Sequence, residues 1–147
     1  MLVCSPGGHL LELLSLEPAY RHLKATWVTL PGPDVDHLLA GRDVLVAHGP
    51  TTRSLGKLLR NLPIAWNAVR RRDPDVILSP GAGLAVPFFL IGWLLNRRLV
   101  YVESLARAES LSLSGRLVYP LVDRFFVQWP QLAHHYRKAR FEGSVLA

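Results

Sequence analysis

The chain has 147 residues, which is the size of one ordinary domain and too short for an enzyme of two full domains. Half of its residues are hydrophobic and 19% are charged, a composition that excludes intrinsic disorder. The formal net charge of +6 favours an anionic partner, which by charge alone is a nucleic acid, an acidic lipid or a phosphate-bearing substrate.

Six short runs rich in Val, Leu and aromatic residues are typical of strands buried on both faces. They cover residues 1–4, 25–30, 43–47, 75–79, 99–103 and 124–128. Helical patterns lie between several of them, which predicts right-handed crossovers and a mainly parallel sheet. We therefore expect an α/β fold, a Rossmann-like open sheet with helices on both faces, that forms a single domain over residues 1–147.

Two apolar segments bear on whether the protein contacts a membrane. The spacing over residues 55–72 predicts an amphipathic helix with basic residues on its polar positions, kinked at Pro63. The stretch 84–95 is too short to span a bilayer and contains Pro87, so it predicts a helix that is either buried in the core or in contact with a membrane.

The start of the chain carries no secretory signal, because its first apolar run is four residues long and lacks a basic segment before it. This favours the cytoplasm. Cys4 is the one cysteine, so no internal disulfide can form and a buried, inert thiol is expected.

The first candidate site is the stretch "SPGGHL", residues 5–10. Gly7 and Gly8 let the backbone turn sharply, and the helix that follows presents unpaired N–H groups and its positive dipole end. The stretch is therefore either an anion cradle or a plain strand-to-helix turn. The dinucleotide motif GxGxxG and the P-loop motif GxxxxGK[ST] are both absent.

His9 and Glu12 are three residues apart, so a helix would place their side chains side by side. A carboxylate next to an imidazole fixes the tautomer of the ring and raises its basicity, which suits a general base supported by Glu12. The alternative is that Glu12 favours the helix start and that His9 is a surface residue of the turn.

The stretch "SPGAGL", residues 79–84, repeats the same junction with Ser79, Gly81 and Gly83. Two such cradles at neighbouring strand ends would supply the several donors that a diphosphate needs. Close packing of a helix on the sheet explains the glycines equally well.

Glu103 ends the fifth predicted strand, which is a costly place for a carboxylate unless it meets water, a donor or a substrate hydroxyl. Arg107 follows four residues later and either neutralises a phosphate or pairs with Glu103 or Glu109. The sequence leaves both choices open.

The sequence gives little support for a metal site or a nucleic-acid interface. The six histidines show no paired metal spacing, so we expect no metal and no cofactor. The chain has no alternation of aromatic and basic residues of the RNP type, no helix-turn-helix signal and no basic arm, so we expect no nucleic-acid partner.

Four stretches together resemble a known family: "SPGGHLLELL", "PDVILSPGAGLAVP", "YVESLARAESLSLSGRLVYPLVDRFFVQWPQ" and "FEGSVL". The chain resembles the PssD-type subunits of bacterial exopolysaccharide glycosyltransferases. It also resembles the membrane-anchored subunit of the eukaryotic two-chain N-acetylglucosaminyltransferase that extends dolichol-linked oligosaccharide. More distantly, it is similar to the N-terminal half of MurG.

The resemblance implies a GT-B architecture divided between two polypeptides. This chain would be the half that binds a lipid-diphosphate-linked saccharide, and a separate subunit would bind the nucleotide-sugar. His9 and Glu103 match catalytic positions, of which either would be the base that removes the acceptor hydroxyl proton. The loops at Gly7, Gly8, Gly81 and Gly83 would face the diphosphate, together with Ser79 and Arg107.

The resemblance also implies a location and a partner surface. Trp129 falls where a single-chain relative crosses to its second domain, so it marks a partner interface. We expect a peripheral protein on the inner face of the plasma membrane. The eukaryotic relatives begin with a membrane-spanning helix, whereas the first strand here starts at Met1. A competing interpretation is a non-catalytic membrane adaptor that recruits and activates a catalytic partner.

Overall fold

The computed structural model describes residues 1–49 and 55–146, and within these ranges it has seven strands and seven helices. The strands are β1 (Leu2–Val3), β2 (Trp27–Thr29), β3 (Val44–Val46), β4 (Val76–Ser79), β5 (Arg98–Val102), β6 (Arg124–Phe126) and β7 (Ala139–Arg140). The helices are α1 (Gly8–Ser15), α2 (Glu17–Tyr20), α3 (Pro33–Leu38), α4 (Leu55–Arg72), α5 (Ala85–Leu94), α6 (Leu113–Val118) and α7 (Pro130–His135).

The strands form one sheet in the order β3-β2-β1-β4-β5-β6-β7, and every pairing between them is parallel. The chain builds outward from β1 to β3 and then returns to the other side of β1 to form β4. The strand order therefore reverses between β1 and β4. In open parallel sheets this reversal opens a crevice at the carboxyl ends of the strands, where ligands bind.

Each face of the sheet has its own apolar core, because successive side chains of a strand point to opposite faces. Ile77, Leu99 and Phe125 belong to the larger cluster, which includes the fully buried Phe88 and Phe89 of α5. Burial of a side chain of this size contributes about 1.5–3 kcal/mol. The other face packs against the residues of a second cluster. These are Leu2, Cys4, Leu10, Leu13, Tyr20, Trp27, Val35 and Leu39.

Helix α5 lies unusually close to the sheet at Gly92. A Cβ atom there would lie 2.6 Å from Ile77 Cδ1 and 2.8 Å from Leu99 Cδ2, which is closer than carbon atoms pack. Because Gly92 has no side chain, α5 can pack this close to the sheet.

The predicted fold class and all six predicted strands are confirmed, while β7 was not predicted. The expectation that every strand is buried on both faces is wrong for β3. This strand lies at the edge of the sheet, so Val46 is more than half exposed. Cys4 is buried, and burial raises the pKa of its thiol to about 12, as expected of an inert thiol.

The two predicted helices over residues 55–72 and 84–95 are confirmed as α4 and α5. Pro63 lies inside α4, and the predicted kink there stays a prediction. Helix α5 is mostly buried, although Trp93 and Leu94 at its end are exposed. In the described ranges, none of the helices combines the length and the apolar character needed to cross a bilayer.

Candidate functional site

A groove of about 860 Å³ opens at the carboxyl edge of the sheet, where the strand order reverses. Both Ser-Pro-Gly junctions contribute to its wall: Ser5 and His9 from the first, and Ala82 and Gly83 from the second. Strands β1 and β4 are neighbours in the sheet, and this adjacency brings the two junctions together. A groove of this size can hold a small-molecule ligand.

Four helices contribute residues of their first turns to the groove. They do so with His9 of α1, Leu55 and Leu58 of α4, Val86 of α5 and Leu113 of α6. In a parallel sheet with crossover helices, the helices that follow the strands start at the carboxyl edge. The first amide groups of a helix have no intrahelical partner and carry partial positive charge. The groove therefore favours an anionic group.

His9 and Glu12 are in contact, as the three-residue spacing predicted. His9 Nδ1 lies 3.3 Å from Glu12 Oε2, and His9 is part of the groove wall. When Nδ1 carries the hydrogen and donates it to the carboxylate, Nε2 is left as an acceptor. A neutral imidazole held in this tautomer can take a proton from a hydroxyl group.

The second oxygen of Glu12 is bonded to the chain beyond β5. Glu12 Oε1 accepts hydrogen bonds from the Ser104 hydroxyl and from the Leu105 amide, both at 2.9 Å. Burial raises the pKa of Glu12, but the hydrogen bonds from His9, Leu105 and Ser104 outweigh this effect and hold the pKa below its ordinary value. Glu12 is thus a buried carboxylate in its charged form.

The turn after β4 brings the backbone against the His9 ring. Gly81 has φ +124°, and a Cβ atom there would lie 3.1 Å from His9 Cε1 and 3.1 Å from the Tyr101 hydroxyl. Ser79 is buried, and its hydroxyl accepts from the Gly81 amide and lies 3.2 Å from the Gly81 carbonyl. Ser79 and Gly81 therefore shape the turn, whereas Ala82 and Gly83 face the groove.

The first junction offers fewer free donors than its sequence suggests. Gly7 has φ +80°, and its amide donates to Asp34 Oδ2 at 2.7 Å. The Asp34 carboxylate thus occupies the Gly7 amide, which was expected to face a diphosphate. Gly7 provides the turn, and the amides of Gly8 and His9 begin α1 without a side-chain cap.

Glu103 is fully buried, and both of its oxygens accept hydrogen bonds. Oε1 accepts from the Ser104 amide at 3.0 Å, and Oε2 accepts from the amide and the hydroxyl of Ser112 at 2.9 and 3.1 Å. A Cβ atom at Gly115 would overlap Oε2, so α6 packs directly on this carboxylate. Glu103 therefore joins the two ends of the loop 104–111.

Arg107 belongs to that loop, and Trp129 is bonded to it. Arg107 is exposed and lines the groove, and none of the ion pairs between described residues includes it, so neither predicted pairing with Glu103 or Glu109 is found. Trp129 is not among the residues that line the groove. Its indole Nε1 donates to the Leu105 carbonyl at 2.7 Å.

Several residues of the groove were not predicted. Ser112 caps α6 by accepting from the Gly115 amide, and its hydroxyl and that of Ser114 lie 3.2 and 3.3 Å from the Tyr101 hydroxyl. Burial raises the pKa of Tyr101, so its hydroxyl keeps its proton. The short pattern Ser-x-x-Gly at the start of α6, from Ser112 to Gly115, was a signal for this cluster.

One wall of the groove is apolar and open to solvent. It is formed by Leu55 and Leu58 of α4 and by Leu113 and Leu117 of α6, which we call the apolar rim. Leu55 is 78% exposed and Leu113 is 74% exposed. Exposed leucines that cluster beside a polar groove mark a contact with something other than water.

A second cavity of about 330 Å³ is lined by strand residues of the sheet and by residues 142–145. Its wall includes Leu78, Val100 and Phe126, and among the described residues that line it Glu142 alone is ionisable. The groove at the carboxyl edge, with His9 and Glu103, is therefore the better candidate for chemistry.

The fold matches that of solved transferase and epimerase structures. MurG of Acinetobacter baumannii matches with a TM-score of 0.77 at 14% identity, over 97% of this chain and 45% of MurG. MnaA of S. aureus, solved with UDP, matches with a TM-score of 0.78 at 13% identity, over 99% of this chain and 44% of MnaA. The likeness shows that this chain has the fold of the N-terminal Rossmann-like half of a GT-B protein.

Several curated relatives carry the name "UDP-N-acetylglucosamine transferase subunit ALG14". The protein of Eremothecium gossypii is 45% identical over an alignment 121 residues long, which covers 74% of this chain and 53% of the relative. That of Schizosaccharomyces pombe is 39% identical over 87% of this chain and 53% of the relative. This chain thus spans about half the length of both proteins.

The relative from Yarrowia lipolytica is matched over more of its length. It is 32% identical over 99% of this chain and 80% of the relative. The family described as "Oligosaccharide biosynthesis protein Alg14 like" matches residues 41–145, which contain the second junction, Glu103 and Trp129. The chain is therefore a member of the Alg14-like family of oligosaccharide biosynthesis proteins.

Proposed function

We propose that this chain is the acceptor-binding subunit of a two-chain inverting glycosyltransferase. The complex transfers a sugar from a nucleotide-sugar to a lipid-diphosphate-linked saccharide in polysaccharide or oligosaccharide biosynthesis. Residues 1–147 form one acceptor-binding domain, and a second polypeptide binds the nucleotide-sugar. Membership of the Alg14-like family supports this proposal, as does the match to less than half of the MurG chain.

The observation that carries the proposal is the two-sided character of the groove. One side has Arg107, His9 and the starts of α1 and α5, which suit a diphosphate and a saccharide hydroxyl. The other side is the apolar rim, which suits a hydrocarbon chain. A lipid-linked diphosphate combines these two chemistries in one molecule.

His9 is the general base in this proposal. Its Nε2 takes the proton of the acceptor hydroxyl while the hydroxyl oxygen forms a bond to the anomeric carbon of the donor sugar. The bond from that carbon to the diphosphate oxygen breaks, and the nucleoside diphosphate leaves with the electron pair. Attack from the opposite side inverts the anomeric configuration. Glu103 is a poorer base because its oxygens already accept three hydrogen bonds.

The apolar rim also supports a place at the membrane. Leu55, Leu113 and Leu117 at the mouth of the groove would rest in the headgroup region of the bilayer, next to the lipid of the acceptor. We propose a peripheral location on the cytoplasmic face of the plasma membrane. No metal or cofactor takes part in this scheme.

The test is a transfer assay with the chain co-purified with its nucleotide-sugar-binding subunit. UDP-N-acetylglucosamine is the first donor to try, because the curated relatives are named for it. Substitution His9→Gln is expected to lower the rate at least about 100-fold without loss of the complex. The control is His22→Gln, since His22 is exposed and lies outside the groove.

Two results would contradict the proposal. If His9→Gln and Glu103→Gln both left transfer nearly normal while the complex formed, the chain would be a non-catalytic adaptor. If the purified chain transferred sugar without its partner, the division of the enzyme between two polypeptides would be wrong.

A further inference from the structure

We propose that Trp129 is a positioning residue for His9, acting through the backbone of Leu105 and the carboxylate of Glu12. The inference rests on the proposed function, in which His9 is the base. It assigns to Trp129 a role inside this chain, rather than the contact with a partner that the sequence alone suggested.

The argument starts from a continuous series of hydrogen bonds. The Trp129 indole N–H donates to the Leu105 carbonyl at 2.7 Å, and the Leu105 amide donates to Glu12 Oε1 at 2.9 Å. The other oxygen of the same carboxylate, Oε2, lies 3.3 Å from His9 Nδ1. Leu105 is thus held on both sides, by the indole and by the carboxylate.

This series fixes the direction in which the carboxylate points. A Glu side chain on a helix can rotate about its terminal bond, and the partners of one oxygen decide where the other oxygen lies. Ser104 and Leu105 together hold Oε1, so Oε2 faces the His9 ring. If the Leu105 segment moves, Glu12 loses this orientation and His9 loses its preferred tautomer.

Trp129 is a firm anchor for that segment. It precedes α7 directly and follows Val127 and Gln128, which are both buried. Gln131 in the same helix donates to the Ala108 carbonyl at 3.2 Å, so the loop is attached to α7 at two points. The loop that carries Arg107 and orients Glu12 is therefore positioned from α7 as well as from β5.

The direct test measures the ring of His9 in the whole chain. Nitrogen NMR of ¹⁵N-histidine-labelled protein reports which ring nitrogen carries the hydrogen, and His9→Gln identifies the signals. We expect the Nδ1–H form to dominate in the wild type, to be lost in Glu12→Gln and to be partly lost in Trp129→Phe. Phenylalanine keeps an aromatic ring but has no N–H group.

The matched control is Trp66→Phe. Trp66 and Trp129 are exposed to the same degree, 39% and 37%, but Trp66 lies on α4 with Arg70 over its ring. This variant should leave the His9 signals unchanged. Ser104→Ala removes a hydrogen bond to the same Glu12 oxygen and tests the same series if Trp129→Phe does not fold. Identical His9 signals in the wild type and in folded Trp129→Phe would overturn the proposal, whatever Ser104→Ala shows.

The transfer assay supplies the second measurement. In the complex, Trp129→Phe should lower kcat about tenfold with little change in the KM for the acceptor or in complex formation. Loss of the complex with unchanged His9 signals would instead make Trp129 a partner contact. If the wild-type complex transferred no sugar, the proposed function would fail, while the NMR result would still decide whether Trp129 positions His9.

Discussion

Glu12 shows how one side chain can serve both the site and the fold. Its two oxygens join α1 to the loop after β5, which is more than 90 residues away in the chain. Removal of such a carboxylate would leave the Leu105 amide and the Ser104 hydroxyl without their acceptor. We therefore expect changes at this residue to affect stability and catalysis together.

The stabilising effect of Glu12 should depend on pH with a definite sign. Its pKa in the folded chain lies below the ordinary value of 4.5, so the unfolded chain binds more protons in acid. The stabilisation is present above about pH 4.5 and is lost as the pH falls through the lower folded value. Glu12→Gln should therefore reduce the free energy of unfolding by about 1–2 kcal/mol at pH 7, and by much less in acid.

Urea unfolding at neutral and acidic pH measures this difference, with Glu109→Gln at an exposed position as the control. An equal loss at both pH values would mean that the charge of Glu12 does not contribute. The effect would then be one of packing alone.

Gly115 should tolerate no side chain, because the Glu103 carboxylate lies against it. We expect Gly115→Ala to lower the free energy of unfolding by about 1–3 kcal/mol, since the new methyl group displaces a buried, hydrogen-bonded charge. The matched control is Gly56→Ala in α4. In the described part of the chain, no side chain or distant backbone atom lies within 4 Å of a Cβ atom at Gly56, so this change should stabilise the chain by about 0.5 kcal/mol. Thermal unfolding of both variants separates the two effects. Close packing should lower the melting temperature of Gly115→Ala, and helix propensity should raise that of Gly56→Ala slightly.

At the scale of elements, the apolar runs and glycine turns were enough to predict the sheet. Each of the six runs contains a strand, and the two Ser-Pro-Gly junctions mark the turns into α1 and α5. Strand β7 was missed because Ala139–Arg140 is two residues long and follows polar residues, so it has no periodic pattern. β7 is defined by its pairing with β6, which depends on the tertiary fold and cannot be predicted from the local sequence.

The structure brings four of the residues named from the sequence, His9, Gly83, Glu103 and Arg107, to one groove, but the sequence did not reveal their partners. The three-residue spacing of His9 and Glu12 was informative because a helix makes such residues neighbours. The contacts of Glu12 with Ser104 and of Trp129 with Leu105 join distant parts of the chain, so no local pattern reveals them. For the same reason, the sequence could not show that the Gly7 amide is already bonded to Asp34.

Helix α6 allows a separate test of the apolar rim. Leu113 and Leu117 are one turn apart, both are exposed, and neither belongs to the buried cores. The double substitution Leu113→Gln and Leu117→Gln should weaken binding to phospholipid vesicles at least about tenfold, because these side chains enter the lipid headgroup region. The melting temperature should change little.

The control for this prediction is Leu23→Gln. Leu23 is as exposed as Leu117, but it precedes β2 and so lies at the opposite edge of the sheet from the groove. Vesicle co-sedimentation compares the variants. If Leu23→Gln weakened binding as much as the double substitution, the apolar rim would not be the membrane contact.

At the scale of the whole molecule, the direction of α4 and α5 places several arginines at the edge of the sheet opposite the groove. Helix α4 begins at the groove with Leu55 and ends at Arg70, Arg71 and Arg72, and α5 likewise runs from the groove to the segment that contains Arg97. Four arginines thus lie at the amino edge of the sheet. Arg72 and Arg97 are also paired there, with Asp43 and Asp73.

This arrangement predicts that the arginines at the end of α4 do not determine membrane binding. Fifteen residues separate Leu55 from Arg70, which is about 22 Å along a helix, whereas charges are screened over about 8 Å at physiological ionic strength. Arg70→Gln with Arg71→Gln should therefore change vesicle affinity less than about twofold. A basic residue at an anionic surface contributes about 1 kcal/mol, so two such residues in contact with lipid would cost about 30-fold. Co-sedimentation with anionic vesicles separates these outcomes, and a loss near 30-fold would mean that the chain meets the membrane with the edge opposite its groove.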